Sequence, residues 1–551
     1  MNKHYEPQLV SVLREGYTLK QFVSDLSAGI LVGIVAIPLA IAFAIASDVN
    51  PAQGITTAVV AGLAISLFSG SRFQIGGPTG AFIIIISGIV AQHGYSGLAI
   101  ATFMAGLLLI LMGMLKLGVI IQYIPYPVTV GFTTGIAVII ASGQIRDGLG
   151  LAMDTVPQEF VHKITAYAGH ISSINPWAVL IFALSICIIL LWPKINRKVP
   201  GSFIAIIVCT LAVRLLNLPV ETIEARYGTI SGAIRLAPIP HLSLDLLRTL
   251  FFPALTIAFL AGIESLLSAV VADGMKGTKH RSNMELVAQG IANCLSPLFG
   301  GIPATGAIAR TATNIKNGGS TPVAGIIHAL TIFLILLFFG KWASLIPLST
   351  IAAVLMVVAY NMSELRLFTR MFKNPKSDVA VMLATFLLTV FLDLTVAIGT
   401  GVLLAVFLFM RRVSEATTMQ YLSRYSSDES TAEDGVQKIL SSIPDDIQVF
   451  EVNGPFFFGA ADRFKDTIAS LDKKPRVMIL RMRKVLSIDA TAIRAIESIY
   501  TRTQRDGTRL ILSGVHTQPL LALIKCGFMD EIGKENICGT LEEALQAAQN
   551  T

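Results

Sequence analysis

Uninterrupted apolar stretches, broken by short polar or glycine- and proline-rich punctuation, run through the first four hundred positions of the chain. LSAGILVGIVAIPLAIAFAIAS (26–47) and TIFLILLFFG (331–340) are two of many such runs. Crossing a bilayer as an α-helix takes roughly 20 apolar residues. The pattern predicts fourteen segments, near 27–47, 51–69, 79–91, 97–117, 124–145, 175–192, 201–217, 249–273, 284–299, 305–314, 321–340, 345–359, 378–394 and 396–410. Two of them, 79–91 and 305–314, are too short or too broken to cross alone. After Arg412 the pattern changes. The stretch 413–436 (VSEATTMQYLSRYSSDESTAEDGV) is polar and reads as a linker. Beyond it, strand-like IQVFEV (447–452), VMILRM (477–482) and RLILSG (509–514) alternate with helical patterns at 459–471, 489–506, 517–525 and 540–549. That alternation predicts a small soluble α/β domain over 437–551, following a membrane domain over 1–412.

Composition agrees with a polytopic helical membrane protein. Of 551 residues, 53% are hydrophobic and 14% charged, against about 25% charged in soluble chains. The polar N-terminus has no short apolar core with a small-residue cleavage site, so the first span is expected to double as the insertion signal. Five cysteines without paired spacing suggest packing rather than disulfides or metal. The net charge of +7 is carried in particular loops: Lys194/Arg197/Lys198, Lys276/Lys279/Arg281, Arg366/Arg370/Lys373/Lys376 and Arg411/Arg412. With a cytoplasmic N-terminus all four fall inside, as the positive-inside rule requires, and the sparser loops at 146–174 and 218–247 fall outside. The charge therefore reads as topology in a plasma (inner) membrane, with the bilayer and no nucleic acid as partner. The C-terminal domain falls in the cytoplasm.

Residues 74–82 read QIGGPTGAF, and 299–308 read FGGIPATGAI. These matching clusters head the two short segments, with six full spans between them. An odd offset of seven reverses direction through the membrane, so the halves, about 22–220 and 245–412, form 7+7 inverted repeats with two half-helices. Pro78 and Pro303 are tolerated at or before a helix start, and the glycines permit close backbone approach. Thr79 and Thr305 offer hydroxyls, and first-turn N–H groups have no helical partners. Each helix start carries about +0.5 of charge, so two converging starts supply roughly +1, suited to an anion. The competing reading is that Gly and Pro here are only packing notches and kinks.

Glu264, in FLAGIESLLSAVVADG, lies mid-span, where a carboxylate is costly and usually functional. It can carry a proton, help Ser268 hold a cation, or serve as a structural hydrogen-bonded carboxyl. Arg310 follows the second half-helix start by about one turn, either adding positive potential or tying the half-helix to nearby carbonyls. Asp273 and Asp393 lie toward span ends, and Phe43 either walls a cavity or faces lipid.

In combination, PLAIAFA on the first span, GGPTG before the third, GIESLLSAVVADG on the eighth and GGIPATGAIARTATNI at the tenth resemble the SulP (solute carrier family 26) anion transporters. The tail, with LSIDATAI opening a helix, resembles the STAS domain such proteins carry. The resemblance implies a core domain moving against a gate domain in an elevator-like cycle, and a homodimer with STAS contacts. It also implies anion binding by Thr79, Gly80, Ala81, Thr305, Gly306 and Ala307, with Phe43 beside them. Glu264 matches the acidic position associated with cation coupling. Three departures stand out: Leu39 after Pro38, Ala309 before Arg310, and Ala490 after Asp489. The first two leave the substrate open, and the third argues against a phosphoserine switch at that position.

The expected function is secondary active transport of a small inorganic or carboxylate anion, in the bicarbonate, sulfate or dicarboxylate class, as proton-coupled symport through Glu264. Sodium-coupled bicarbonate symport, an anion channel or exchanger, and a STAS-centred regulatory membrane protein are the alternatives. No cofactor is expected beyond a coupling H+ or Na+. No Ser/His/Asp, metal-ligand or phosphate-loop spacing points to an enzyme.

Overall fold

In the computed structural model the described residues are 5–119, 125–153, 156–157, 159–196, 199–230, 234–238, 243–392, 394–422, 443–444, 446–457, 459, 461, 464, 468 and 474–550. Arg197, Lys198, Asp393, the expected linker from 423 onward and most of the helix expected at 459–471 lie outside them. The chain divides into two compact units, Met1–Leu403 and Leu404–Thr551.

The first unit is helical: α1 (Leu19–Ala46), α2 (Pro51–Phe68), α3 (Ile83–Met114), α4 (Tyr126–Gly143), α5 (Pro176–Ile195), α6 (Gly201–Leu215), α7 (Leu244–Lys276), α8 (Ser282–Leu298), α9 (Ile308–Lys316), α10 (Val323–Ala343), α11 (Leu348–Met362) and α12 (Lys376–Phe391), with α13 (Leu394–Ala416) leading out of it. Their starts follow local chemistry. The Thr18 side chain accepts from Gln21 N while Gln21 reaches back to the Thr18 N–H, and Asn50 and Gln53 do the same with Pro51 in the first turn of α2. Two expected segments, 79–91 and 97–117, appear within α3, and Gly94 turns the chain between them at φ 64° and ψ −175°. Glycine meets little steric resistance there.

The helices sort into two packed groups. One holds α1, α2, α3, α7, α8, α9 and α10; the other holds α4, α5, α6, α11 and α12. In α1, 67% of the apolar window is buried within the protein, against 17% in α5, so α1 is central and α5 presents its apolar surface outward. Among the described residues, eight helices are long and apolar enough to cross a membrane. Between the halves, β1 (Gly76–Gly77) pairs antiparallel with β2 (Thr305–Gly306), Gly76 opposite Gly306 and Gly77 opposite Thr305. That antiparallel seam is what inverted repeats produce when two broken helices meet.

In the second unit a five-stranded sheet runs in the order β3 (Thr418–Leu422), β4 (Ile447–Asn453), β5 (Val477–Lys484), β6 (Arg509–Ser513), β7 (Ile537–Cys538). Only β3 is antiparallel to its neighbour. Val477 and Ile479 pack on one face of β5, and Met478, Leu480 and Met482 on the other. Burial on both faces explains the nearly continuous apolar run of this strand. Helices α14 (Ala490–Arg505), α15 (Thr517–Lys525), α16 (Phe528–Ile532) and α17 (Leu541–Gln549) complete the unit. Two features correct the sequence reading. The stretch read as linker contains the end of α13 and all of β3, because residues of mixed polarity suffice for an edge strand with one neighbour. The two-residue β7 is too short to leave a pattern. Asp489 caps α14, accepting from Ala492 N at 2.8 Å.

Candidate functional site

The β1–β2 seam positions both half-helix starts. On the first side the chain leaves Gly77 through Pro78 and Thr79 into a single turn, Gly80–Phe82, that runs on into α3. On the second it leaves Gly306 through Ala307 directly into α9. Neither start has a side-chain cap, so neither first turn has the acceptor that usually satisfies it.

The threonines are not free donors toward a ligand, as the sequence reading had them. Thr79 Oγ1 donates to Glu264 Oε2 at 2.8 Å, and Thr305 Oγ1 donates to the Ala261 carbonyl at 2.8 Å. Both partners lie on α7, one turn apart, so α7 reads both clusters from behind. Ala307 is likewise engaged, its N–H donating to the Ile75 carbonyl at 2.9 Å. Ser268 is fully buried and donates to Thr311 Oγ1 at 3.1 Å, while Thr311 Oγ1 also accepts from Ile75 N. Ser268, expected to help Glu264 hold a cation, is linked to α9 by this bond.

Arg310 is 2% exposed and reaches back across the seam, donating to the Pro78 carbonyl and, at 3.5 Å, to the Gly76 carbonyl. One guanidinium therefore ties the second half-helix to the first cluster and brings its charge there. Gly77 has φ 146°, and a Cβ on it would lie 2.6 Å from Arg310 Nη1. A Cβ on Gly306 would overlap Gln74 Nε2, so Gly306 packs against a buried wall rather than facing open space. Gly80 faces the other way: its Cβ would lie 3.3 Å from Phe43 Cε1, 3.2 Å from Ile140 Cδ1 and 3.1 Å from Met362 Sδ. Phe43 is thus a buried neighbour of the first half-helix start, not a lipid-facing side chain. Ala81 is completely buried, and Ala307 nearly so.

Behind the seam lies a polar network absent from the sequence expectations. Gln74 Nε2 donates to Ser265 O and Oγ, and Ser265 Oγ donates to Glu285 Oε1 at 2.8 Å. Glu285 also accepts from Gln289 Nε2, Ser69 Oγ and Gly70 N. Asn293 holds Ala304 through both its N–H and its carbonyl. Ile302 N donates to Thr57 Oγ1, and Tyr95 donates to the Gly301 carbonyl. The available signal was the spacing of Glu285, Gln289 and Asn293, which puts three polar side chains on one face of α8.

Two uncapped helix starts, a buried guanidinium and a carboxylate hydrogen-bonded to one start form a compact electrostatic unit suited to a small anion and a coupling cation. The family described as the Sulfate permease family matches residues 22–385, and the STAS domain matches 438–544. The chain is 45% identical to "Putative sulfate transporter YvdB" of Bacillus subtilis (strain 168), over 95% of this chain and 97% of that one. It is 27% identical to "Bicarbonate transporter BicA" of Picosynechococcus, over 95% and 94%. The murine Slc26a9 anion transporter in the inward-facing state shares the fold, with a TM-score of 0.88 at 16% identity, over 99% of this chain and 94% of that one. The solved transmembrane domain of a cyanobacterial BicA aligns with a TM-score of 0.63 at 29% identity, covering 71% of this chain and 98% of that one. The chain belongs to the Sulfate permease family: it is a multi-pass membrane protein of anion transport with a C-terminal STAS domain.

Proposed function

We propose that the protein is a secondary active transporter moving a small anion of the sulfate or bicarbonate class by alternating access, with Glu264 carrying a coupling proton. The observation that carries this reading is the 2.8 Å hydrogen bond from Thr79, at the first half-helix start, to the Glu264 carboxylate. A negative carboxylate at that place opposes an arriving anion. A proton on it removes the repulsion and makes Glu264 a donor, which releases the Thr79 hydroxyl from its present role. Proton and anion then favour each other's binding, the thermodynamic requirement for symport. The two helix starts offset about one negative charge, and Arg310 supplies the further charge a divalent anion needs. The group containing α1–α3 and α7–α10 carries the site and moves against the α4–α6, α11 and α12 group, whose Ile140 and Met362 press on Gly80. The basic loops support a cytoplasmic N-terminus and STAS domain.

Uptake by proteoliposomes under a pH gradient, with and without sodium, tests the proposal. Wild-type protein is expected to accumulate sulfate or bicarbonate against its gradient when the opposite face is alkaline. Glu264→Gln is expected to equilibrate the anion without accumulating it. Unchanged accumulation in Glu264→Gln sinks the coupling role, and accumulation driven by sodium alone transfers it to that ion. Strictly downhill flux in the wild type overturns symport and leaves a channel or exchanger.

A further inference from the structure

Away from the seam, three loop elements gather basic residues around a partly open cavity. Arg146 lies on the short helix Ile145–Leu149, Lys163 on Phe160–Gly169 and Arg226 on Ile223–Tyr227. Together with Asp48 and Asp147 they line a cavity of about 110 Å³, the share of roughly three or four water molecules. Its floor includes Ile83 and Ile84 of α3 and Ile140 of α4. The same Ile140 stands 3.2 Å from a Cβ built on Gly80, so a single side-chain layer separates the cavity from the first half-helix start.

Among the described residues the cations around this cavity are unevenly paired. Arg226 is answered twice, by Asp147 at 2.9 Å and by Glu221. Arg146 Nε is buried without a hydrogen-bond acceptor. Lys163 is 9% exposed and makes no ion pair among the described residues. Burial pulls its ammonium below the ordinary lysine value, and the Asp48 carboxylate offsets this only in part. Lys163 and the buried Nε of Arg146 thus border, with no ion pair of their own among the described residues, a space with room for a small ion. A buried cation is unfavourable until it is paired, and an anion between Arg146 and Lys163 would complete the set.

We propose that this cavity is a second anion site, taking a small inorganic anion such as a halide or sulfate through Lys163 and Arg146, one side-chain layer from the transport site. Binding there stands on the cavity's own chemistry. Its role as a waiting position, from which the anion passes Ile140, rests on the transport reading above. Asp48 faces Lys163 electrostatically while the site is empty and competes with an arriving anion for it.

Crystals of the full-length protein grown in sodium bromide test binding directly. An anomalous peak between Lys163 and Arg146 is expected, absent in Lys163→Met and retained in Lys163→Arg and in Arg310→Ala. No peak there in the wild type, or a peak that persists in Lys163→Met, overturns the site. For the waiting role, sulfate transport is measured from each face of sealed vesicles. Lys163→Met is expected to raise KM about tenfold from the face bearing the 146–174 loop, through loss of a charge-assisted contact. KM from the other face stays unchanged, and Lys163→Arg restores the first. An equal rise from both faces overturns the waiting role. Absence of any transport by the wild type would count against the proposed function, while the bromide peak would still decide the site.

Discussion

At the first cluster the threonine hydroxyl reaches a carboxylate, Thr79 to Glu264; at the second the matching Thr305 reaches a main-chain carbonyl, Ala261. Gly80 looks onto flexible side chains of α1, α4 and α11, whereas Gly306 is pressed against Gln74 and the buried network on α7 and α8. The second loop is held further by Thr57, Asn293 and Tyr95. Nearly identical residues have thus been given different work. One cluster is anchored in a polar frame that has no ionisable partner at its threonine. The other touches a group that can change charge. Inverted repeats supply a symmetric pair of helix starts, and the asymmetry between them comes from what α7 presents to each: a side chain at one, a backbone carbonyl at the other.

The sharpest way to break this contrast is at the glycines. Gly306→Ala has to displace Gln74, so it is expected to destabilise the protein by about 1–3 kcal/mol and to abolish transport. Gly80→Ala meets only side-chain ends that can shift, and is expected to keep the thermal midpoint in detergent while weakening anion binding. Equal loss of stability in the two variants would erase the distinction between anchored and exposed clusters.

Next in size is the arginine that crosses the seam. Arg310→Ala is expected to impair sulfate uptake more than chloride or bicarbonate uptake, by about tenfold, if its charge supplements the helix starts. A loss equal for all anions would leave the guanidinium only the mechanical role of tying Pro78 and Gly76 to α9.

Smallest is the difference between the two threonines. A hydrogen bond to a charged group contributes about 1.5–3 kcal/mol, and one between neutral groups about 0.5–1.5. Thr79→Val is therefore expected to lower stability more than Thr305→Val, and only Thr79→Val should flatten the dependence of uptake on pH. Identical pH profiles in the two variants would place coupling elsewhere.

Much of the membrane architecture was legible in the chain because span length and apolar continuity are local properties. The seam was legible because Gly-Gly, Pro and Thr-Gly are unusual company inside an apolar run. Which group each hydroxyl meets was not, since Thr79 finds Glu264 across 185 residues and the choice depends on how α7 is rotated. Glu285, Gln289 and Asn293 advertised a polar face at helical spacing that went unread in favour of the single acid on α7. Strand β3 hid in a polar stretch because an edge strand needs no clean alternation. Nothing in the sequence around Lys163 marks it, because its burial is made by the fold.

The seam between the halves also bears on how the protein is made. Ile75 N pairs with Thr311 Oγ1 across 236 residues of chain. At about 5–20 residues per second, synthesis leaves the first cluster waiting some 10–50 s for that partner. Throughout that interval the main-chain groups of Gly76 and Gly77 have no ladder to join, in surroundings where an unpaired peptide group is costly. The first half therefore cannot complete its fold during its own insertion. Either the segment from Ser69 to Phe82 stays at the aqueous edge of the translocation machinery until the second half emerges, or water accompanies it inward, and birth order makes the amino-terminal half a client of the carboxy-terminal one.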